Sequence, residues 1–353
     1  MPTDLDVRTA RDLARPDVVT LEDVLAGDPT TYRVLTGDRP TGALHVGHLF
    51  GTLATRVALQ RHGVETIVVL ADYQVITDRD DPGDLPGAVR EVVLDYLAAG
   101  LDPDATTIFT HSAVPAVHQL MLPFLSLVPV AELDRNPTVK AEQAASGRAL
   151  SGLLLTYPVH QAADVLSVHG TLVPVGRDQL PHLELTRTVA RRFNRRYGHV
   201  FDEPSALLSD APLVLGTDGA KMSKSRGNAI ELRADADATA AALRAARTDA
   251  ERTITYEPER RPEVANLLLL GALASGRTPQ DLAEEVGDGG AGALKRYVTD
   301  ALVAHLAPLR ARRAQLARDR HVVTEVLARG AERATAIADA TLATVRVAMR
   351  QTA

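Results

Sequence analysis

The chain has 353 residues, 45% of them hydrophobic and 24% charged, with a formal net charge of -6. That length admits two domains, and that composition excludes wholesale disorder. Cysteine is absent, which excludes disulfide staples and thiolate metal sites and points to an intracellular setting. No run of about 18 apolar residues suggests a membrane span. The N-terminal text MPTDLDVRTARDLARP lacks the apolar stretch of a signal peptide. An acidic total means that any nucleic-acid partner must meet a local basic patch.

Residues 1–30 read as a polar arm punctuated by proline. An α/β rhythm begins at Tyr32. Tyr32 to Leu35 is predicted as a strand, broken by Gly37, Pro40 and Gly42, and an apolar-periodic helix follows from Leu44 to Gln60. Thr66 to Leu70 (TIVVL) has the β-branched content of a buried strand. Asp84 opens a helix carrying Val89, Val92, Val93, Tyr96 and Leu97 at helical spacing. Thr106 to Phe109 is a further strand, helices fill 114–128 and part of 137–168, and Thr171 to Val175 is another strand. It leads through Gly176 into a helix from Asp178 to Tyr197. Strands alternating with helices predict an α/β fold with a doubly wound parallel sheet over residues 31–232. Beyond residue 233 the patterns are all helical, predicting an all-α domain over 233–353 whose last helix can return to the sheet.

Two motifs carry chemistry. DRPTGALHVGH, Asp38 to His48, sits where a strand gives way to a helix. That junction offers backbone N–H groups and a positive dipole end to a phosphate. Gly42 and Gly47 clear side chains from the path of a nucleotide, and His45 and His48 can donate to phosphate oxygens. KMSKS, Lys221 to Ser225, follows the polar text GTDGA. Two lysines three apart among hydroxyls suit a mobile loop that closes on a triphosphate. A chance match to this string is on the order of one in ten thousand. A third pattern lies in YPVHQAADVL. Tyr157, Gln161 and Asp164 fall at i, i+4 and i+7, so one helix face carries all three. Polar groups on the inner face of an apolar helix are costly without partners, and a ligand can supply them.

HVGH (His45-Val46-Gly47-His48) and KMSKS together resemble the HIGH and KMSKS signatures of class I aminoacyl-tRNA synthetases. YPVHQAADVL and VPVGRDQLPHLELTRTVARRFNRRYG resemble the bacterial tryptophanyl members of that family, and similarity of this kind runs over about residues 32–350. The resemblance implies that Arg39, Pro40, Thr41, His45, Gly47, His48, Gly176, Arg177, Asp178, Val214, Lys221, Met222, Ser223, Lys224 and Ser225 bind ATP. It assigns catalytic roles to His48, Lys221, Lys224 and Lys140. Asp164 is expected to accept the indole N–H of tryptophan, Tyr157, Gln161 and Gln179 to address its amino group, and Leu35, Gln74, Val173 and Val175 to complete the pocket. Arg177 stands where the family has an acidic residue, and Leu35 and Gln74 where many members have Phe and His, which predicts a reshaped ring pocket.

The implied reaction uses ATP with Mg2+, L-tryptophan and tRNA(Trp), in a cytoplasmic homodimer with no resident metal and no membrane contact. Arg310, Arg312, Arg313, Arg318 and Arg320 are the expected local basic stretch of an anticodon-reading domain. The absence of Trp from the chain suits an enzyme that supplies tryptophan to translation. Three rivals share parts of this text: a tyrosyl-tRNA synthetase, a small HIGH-bearing cytidylyltransferase, and a synthetase-like regulator that binds without charging.

Overall fold

The computed structural model describes residues 18–77, 80–147, 149–176, 179–208, 214–223 and 226–351. Its strands are β1 Val18–Val19, β2 Arg33–Asp38, β3 Glu65–Leu70, β4 Thr106–Thr110, β5 Leu172–Val175 and β6 Ser205–Leu208. They form one sheet in the order β1-β6-β5-β2-β3-β4, and every pairing is parallel. β3 buries every residue but its first, as a strand covered on both faces must. The chain steps from β2 to β3 and β4 on one side, then crosses to β5 and β6 on the other. The carboxyl ends of β2 and β5 therefore flank the switch point where doubly wound sheets bind ligands.

Alternate residues of β3 feed the two halves of the core. Val68 and Leu70 join Leu44, Val46, Val92 and Tyr96, and this cluster continues without a break into Val264, Leu268, Leu294 and Leu302 of the C-terminal helices. Ile67 and Val69 join Leu35, Phe109, Val159, Val189 and Phe193 on the other face. The last helix, Val322–Ala348, adds Ala334, Ala338 and Leu342 to that second cluster. It covers the open edge of β4. A Cβ at Gly330 would lie 1.8 Å from the carbonyl oxygen of Ile108, so only glycine permits this approach.

Several expectations change. The N-terminal arm does not extend to residue 30: Val18–Val19 is an edge strand on β6, and the helix Leu21–Ala26 buries Val24 completely. Two residues are too few to show period-two patterning, and their pairing is long-range. β6 escaped for the same reason, since its four residues SALL have no alternation. The single helix expected over Leu44 to Gln60 is a helical run in three parts: Val46–His48, a π-turn Leu49–Leu53, and Ala54–His62. Single π-turns of this kind concentrate at functional sites.

Candidate active site

At the carboxyl ends of β2 and β5 lies a cavity of about 320 Å³, the size of a small-ligand site. All eight residues expected around the amino acid line it: Leu35, Gln74, Tyr157, Gln161, Asp164, Val173, Val175 and Gln179. Tyr157, Gln161 and Asp164 come from one helix, Gly152–Ser167, which starts cleanly because the Ser151 side chain accepts from the Leu154 N–H. Leu35 comes from β2 and the valines from β5. Arg39 and Gly176 line the same cavity, so the amino-acid side opens directly onto the expected nucleotide side.

The polar groups here are held from behind. The Tyr157 hydroxyl lies 3.0 Å from His182 Nε2. Burial pushes its pKa up, and the nearby Glu142 carboxylate pushes it further. Glu142 lines the cavity and lies 3.6 Å from Arg39. Asp38 accepts from Arg56 at 2.6 Å and from the Tyr96 hydroxyl. Burial pushes Asp38 up, but the Arg56 guanidinium outweighs it and holds the carboxyl at about 2, with His48 adding to the pull. Glu142 and Arg56 were not foreseen. Nothing in RNPTVKAEQ or ATRVALQRH separates them from ordinary helix charges, because their inward placement depends on tertiary packing.

Asp164 is 5% exposed and its Oδ1 lies 2.8 Å from Nε2 of the fully buried His111. Burial lowers the His111 pKa, but the carboxylate outweighs it and the net shift is upward. His118 Nδ1 lies 2.9 Å from His160 Nε2, and His118 Nε2 lies 2.9 Å from the carbonyl oxygen of His111. Burial pushes His160 down to about 4 and lowers His118 as well.

The two phosphate motifs meet. Val46 N–H donates to the Ile230 carbonyl at 3.0 Å, and Leu232 N–H donates to the Leu44 carbonyl at 2.9 Å. The text after KMSKS is thus stitched to the HIGH turn. Met222 is buried in the same core cluster as Leu44, Val46 and Val214. A Cβ on Gly47 would fall 3.0 Å from the His45 ring, a tight approach, and 3.8 Å from the Met222 sulfur, an ordinary contact. Gly47 therefore makes room for the His45 ring. Gly42, at φ 120°, makes the turn before them possible.

GTDGA is a tight hairpin, not the flexible stretch its polarity suggests. Leu215 bridges Lys221, and Gly216 N–H donates to the Ala220 carbonyl at 2.7 Å. Asn228, 2% exposed, clamps it: its amide donates to Asp218 and to the Lys221 carbonyl, and its oxygen accepts from the Ser223 N–H at 2.7 Å. The HIGH turn also differs from expectation. Leu44 N–H donates to Asp95, His45 N–H to His48 Nδ1 and Val46 N–H to Ile230, so those three donors are already engaged by the protein.

Pro40 is buried, Thr41 is exposed, and Lys221 is exposed with Ser223 half-buried. Lys140 is exposed on the helix Pro137–Ser146 and does not line the cavity, although Glu142 on the same helix does. Arg177, Asp178, Lys224 and Ser225 lie outside the described residues. The basic stretch is smaller than its sequence. Arg313 pairs with Glu91 at 2.5 Å and Asp95 at 2.7 Å, and Arg310 donates to Thr239 at 2.7 Å. Both tie the Gly290–Leu316 helix to the rest of the chain, leaving Arg312, Arg318 and Arg320 exposed.

The match to known proteins follows this geometry. Residues 29–307 match the family model of class I tRNA synthetases for W and Y. A tryptophan–tRNA ligase of Treponema pallidum is 44% identical over 90% of this chain and 96% of its own length. One from Streptococcus agalactiae is 40% identical over 90% of this chain and 97% of its own length. Among solved structures, the tryptophanyl-tRNA synthetase of Campylobacter jejuni, complexed with ADP and tryptophan, superposes with a TM-score of 0.77 at 28% identity. That match covers 90% of this chain and 99% of the other. No helix among the described residues is long and apolar enough to cross a membrane. The chain belongs to the class I tRNA synthetases for tryptophan and tyrosine, among the tryptophan–tRNA ligases.

Proposed function

We propose that the chain activates L-tryptophan with ATP and transfers it to tRNA(Trp), forming AMP and diphosphate. The observation that carries this reading is that Asp164, Gln161 and Tyr157 line one cavity with Arg39 and Gly176, while the HIGH turn is hydrogen-bonded to the segment that follows KMSKS. Asp164 accepts the indole N–H. Tyr157, Gln161 and Gln179 address the amino group, with Glu142 as a further anion facing it. Leu35, Gln74, Val173 and Val175 wall the ring.

In the first step a tryptophan carboxylate oxygen attacks the α-phosphorus of ATP. The bond from that phosphorus to the bridging oxygen breaks, and diphosphate leaves with the Mg2+ that entered with ATP. No protein nucleophile is needed. Catalysis is alignment plus stabilisation of charge on phosphate oxygens. His48, Lys221 and Lys224 supply the positive groups, and Lys140 a further cation. Arg39, Pro40, Thr41, His45, Gly47, Gly176, Arg177, Asp178, Val214, Met222, Ser223 and Ser225 frame the nucleotide. The Asn228 clamp fixes the base of the KMSKS segment at Lys221 and Ser223.

In the second step the 2′-hydroxyl of the terminal ribose attacks the aminoacyl carbonyl, loses its proton, and AMP departs. The C-terminal helices read the anticodon, with Arg312, Arg318 and Arg320 the exposed cations of the basic stretch. The enzyme works as a cytoplasmic homodimer. Leu122 and Val130, exposed at 71% and 67%, are apolar side chains that a second copy would cover.

ATP–pyrophosphate exchange with tryptophan and tyrosine side by side tests the reading. Exchange with tryptophan alone is expected. Exchange with tyrosine assigns the chain to the rival, and none with either makes it a binding protein.

A further inference from the structure

His111 takes no part in the reaction as described, yet it is the only buried base touching Asp164 among the described residues. Asp164 sits between Ala163 and Val165, both buried, with Val173 nearby across the cavity. A buried carboxylate in such surroundings is costly without a partner, and three histidines compete for that role.

The hydrogen-bond pattern selects one of them. His118 Nε2 faces the His111 carbonyl oxygen at 2.9 Å, so it carries the proton and donates. In neutral His118 the Nδ1 is then an acceptor, and His160 Nε2, 2.9 Å away, must be its donor. That leaves His160 neutral with a bare Nδ1, which indeed has no hydrogen-bond partner. Burial disfavours charge on both rings. Asp72, on the segment after β3, accepts from the Ser112 N–H at 3.1 Å and adds negative potential at His111. Of the three rings, His111 is the one whose nitrogen faces the Asp164 carboxylate, and its Nδ1, like that of His160, has no hydrogen-bond partner. Although His111 Nε2 is 2.8 Å from Asp164 Oδ1, the two do not complete an aligned hydrogen bond, and Oδ1 has no other donor. The contact leaves acceptor capacity on the carboxylate.

We propose that His111 is a positioning residue for side-chain recognition: its imidazole holds Asp164 in place as an anion whose free lone pair accepts the ring N–H of the amino acid. This rests on the reading of Asp164 as the indole partner. His118, through the His111 carbonyl, and His160, with its ring 4.6 Å from that of His111, set the position of the base.

The test compares tryptophan with its benzothienyl analogue, in which sulfur replaces the ring N–H, in ATP–pyrophosphate exchange. His111→Leu should raise the tryptophan KM about tenfold or more, the loss expected when a charged partner is removed. It should leave kcat within about threefold, because the lost contact is made equally in the ground and transition states. The KM for the analogue should move less than about twofold, since it has no N–H to lose. His111→Gln, which keeps a donor, should recover part of the tryptophan KM. ATP-dependent thermal stabilisation of each variant verifies that it is folded.

Equal losses for both amino acids would make His111 a packing residue and overturn the proposal, as would an unchanged tryptophan KM. His111, His160 and Asp164 also bring ligand-capable atoms within 4.8 Å of one another. If chelator raises the wild-type tryptophan KM and Zn2+ restores it, the cluster is a metal site and the proposal falls. If the wild-type enzyme exchanges with tryptophan but uses the analogue equally well, the Asp164 assignment fails first, and the proposal with it. No exchange with tryptophan would instead sink the proposed function itself.

Discussion

On the proposed amino-acid side of the cleft the polar groups are side chains of one helix, and two of them are backed by a buried partner: Tyr157 by His182, Asp164 by His111. On the nucleotide side the geometry is made by backbone, through the pairing of Leu44 and Val46 with Ile230 and Leu232 and the clamp of Asn228. The first half is preformed and buried. The second presents an exposed Lys221 on a fixed base. The difference follows the chemistry. Discrimination between amino acids requires buried polar groups whose partners are lost with the wrong ligand. Phosphate stabilisation requires cations that arrive with the triphosphate and act most strongly as charge moves.

The contrast predicts different kinetic signatures. Lys224→Ala should slow adenylation by about a hundredfold to a thousandfold, the cost of removing one donor to developing charge. The KM values for ATP and tryptophan should change only a few-fold, about the level of a lost ground-state contact. Single-turnover formation of the adenylate checks this, and parallel losses in binding and rate would erase the difference between the halves. Asp164→Ala should lower kcat/KM for tryptophan about a hundredfold, because the indole N–H and the His111 imidazole are both left without their partner. That loss should appear chiefly in KM. A loss confined to kcat would move Asp164 to the catalytic half.

The amino-acid side was the more legible of the two in the sequence. Tyr157, Gln161 and Asp164 share a helix face by spacing alone, and all eight expected residues reach the cavity. Buried β-branched strands such as TIVVL announce themselves, whereas Val18–Val19 and Ser205–Leu208 are too short to show a period. The partners behind the ligand face were not legible. His111 follows β4, His118 lies on the next helix and His160 on another, so only tertiary packing brings them together. Arg310 and Arg313 were misread for a related reason. A charge on a helix shows its sign in the sequence but not whether it turns outward or toward Asp95. The HIGH turn was legible as a motif, yet its N–H groups are satisfied internally, which the motif text does not reveal.

Asn228 tests whether the nucleotide side depends on that fixed base. Asn228→Ala leaves the Ser223 N–H and the Lys221 carbonyl without their partner. Adenylation should slow about tenfold, the cost of a small misplacement of catalytic groups. If the clamp acts through Lys224, the double variant Asn228→Ala/Lys224→Ala should lose less than the product of the single losses. A full product would mean that the clamp and the lysine act independently, and that the loop is not anchored at its base.

The smallest effect is on stability, and it belongs to the amino-acid side. Burial holds His160 at about 4, against an ordinary 6.5. The unfolded chain therefore binds a proton there that the folded chain refuses, so stability falls as pH drops from about 6.5 toward about 4. His111 works in the opposite sense: its raised pKa gives stability present below 6.5 and lost only as pH rises through the folded value. Asp38, held at about 2, keeps its contribution down to its ordinary 3.8 and loses it only below that. The interval between 4 and 6.5 thus isolates the neutral histidines from that carboxylate. Thermal melting across it should show a decline of a few degrees, below the scale of about 2–4 °C per kcal/mol that holds for smaller domains. His160→Gln can still donate to His118 but cannot take up a proton. The same series in that variant should be flatter, and an unchanged slope would mean that His160 is solvated and that the base beneath Asp164 is not the closed cluster that separates this half of the cleft from the other.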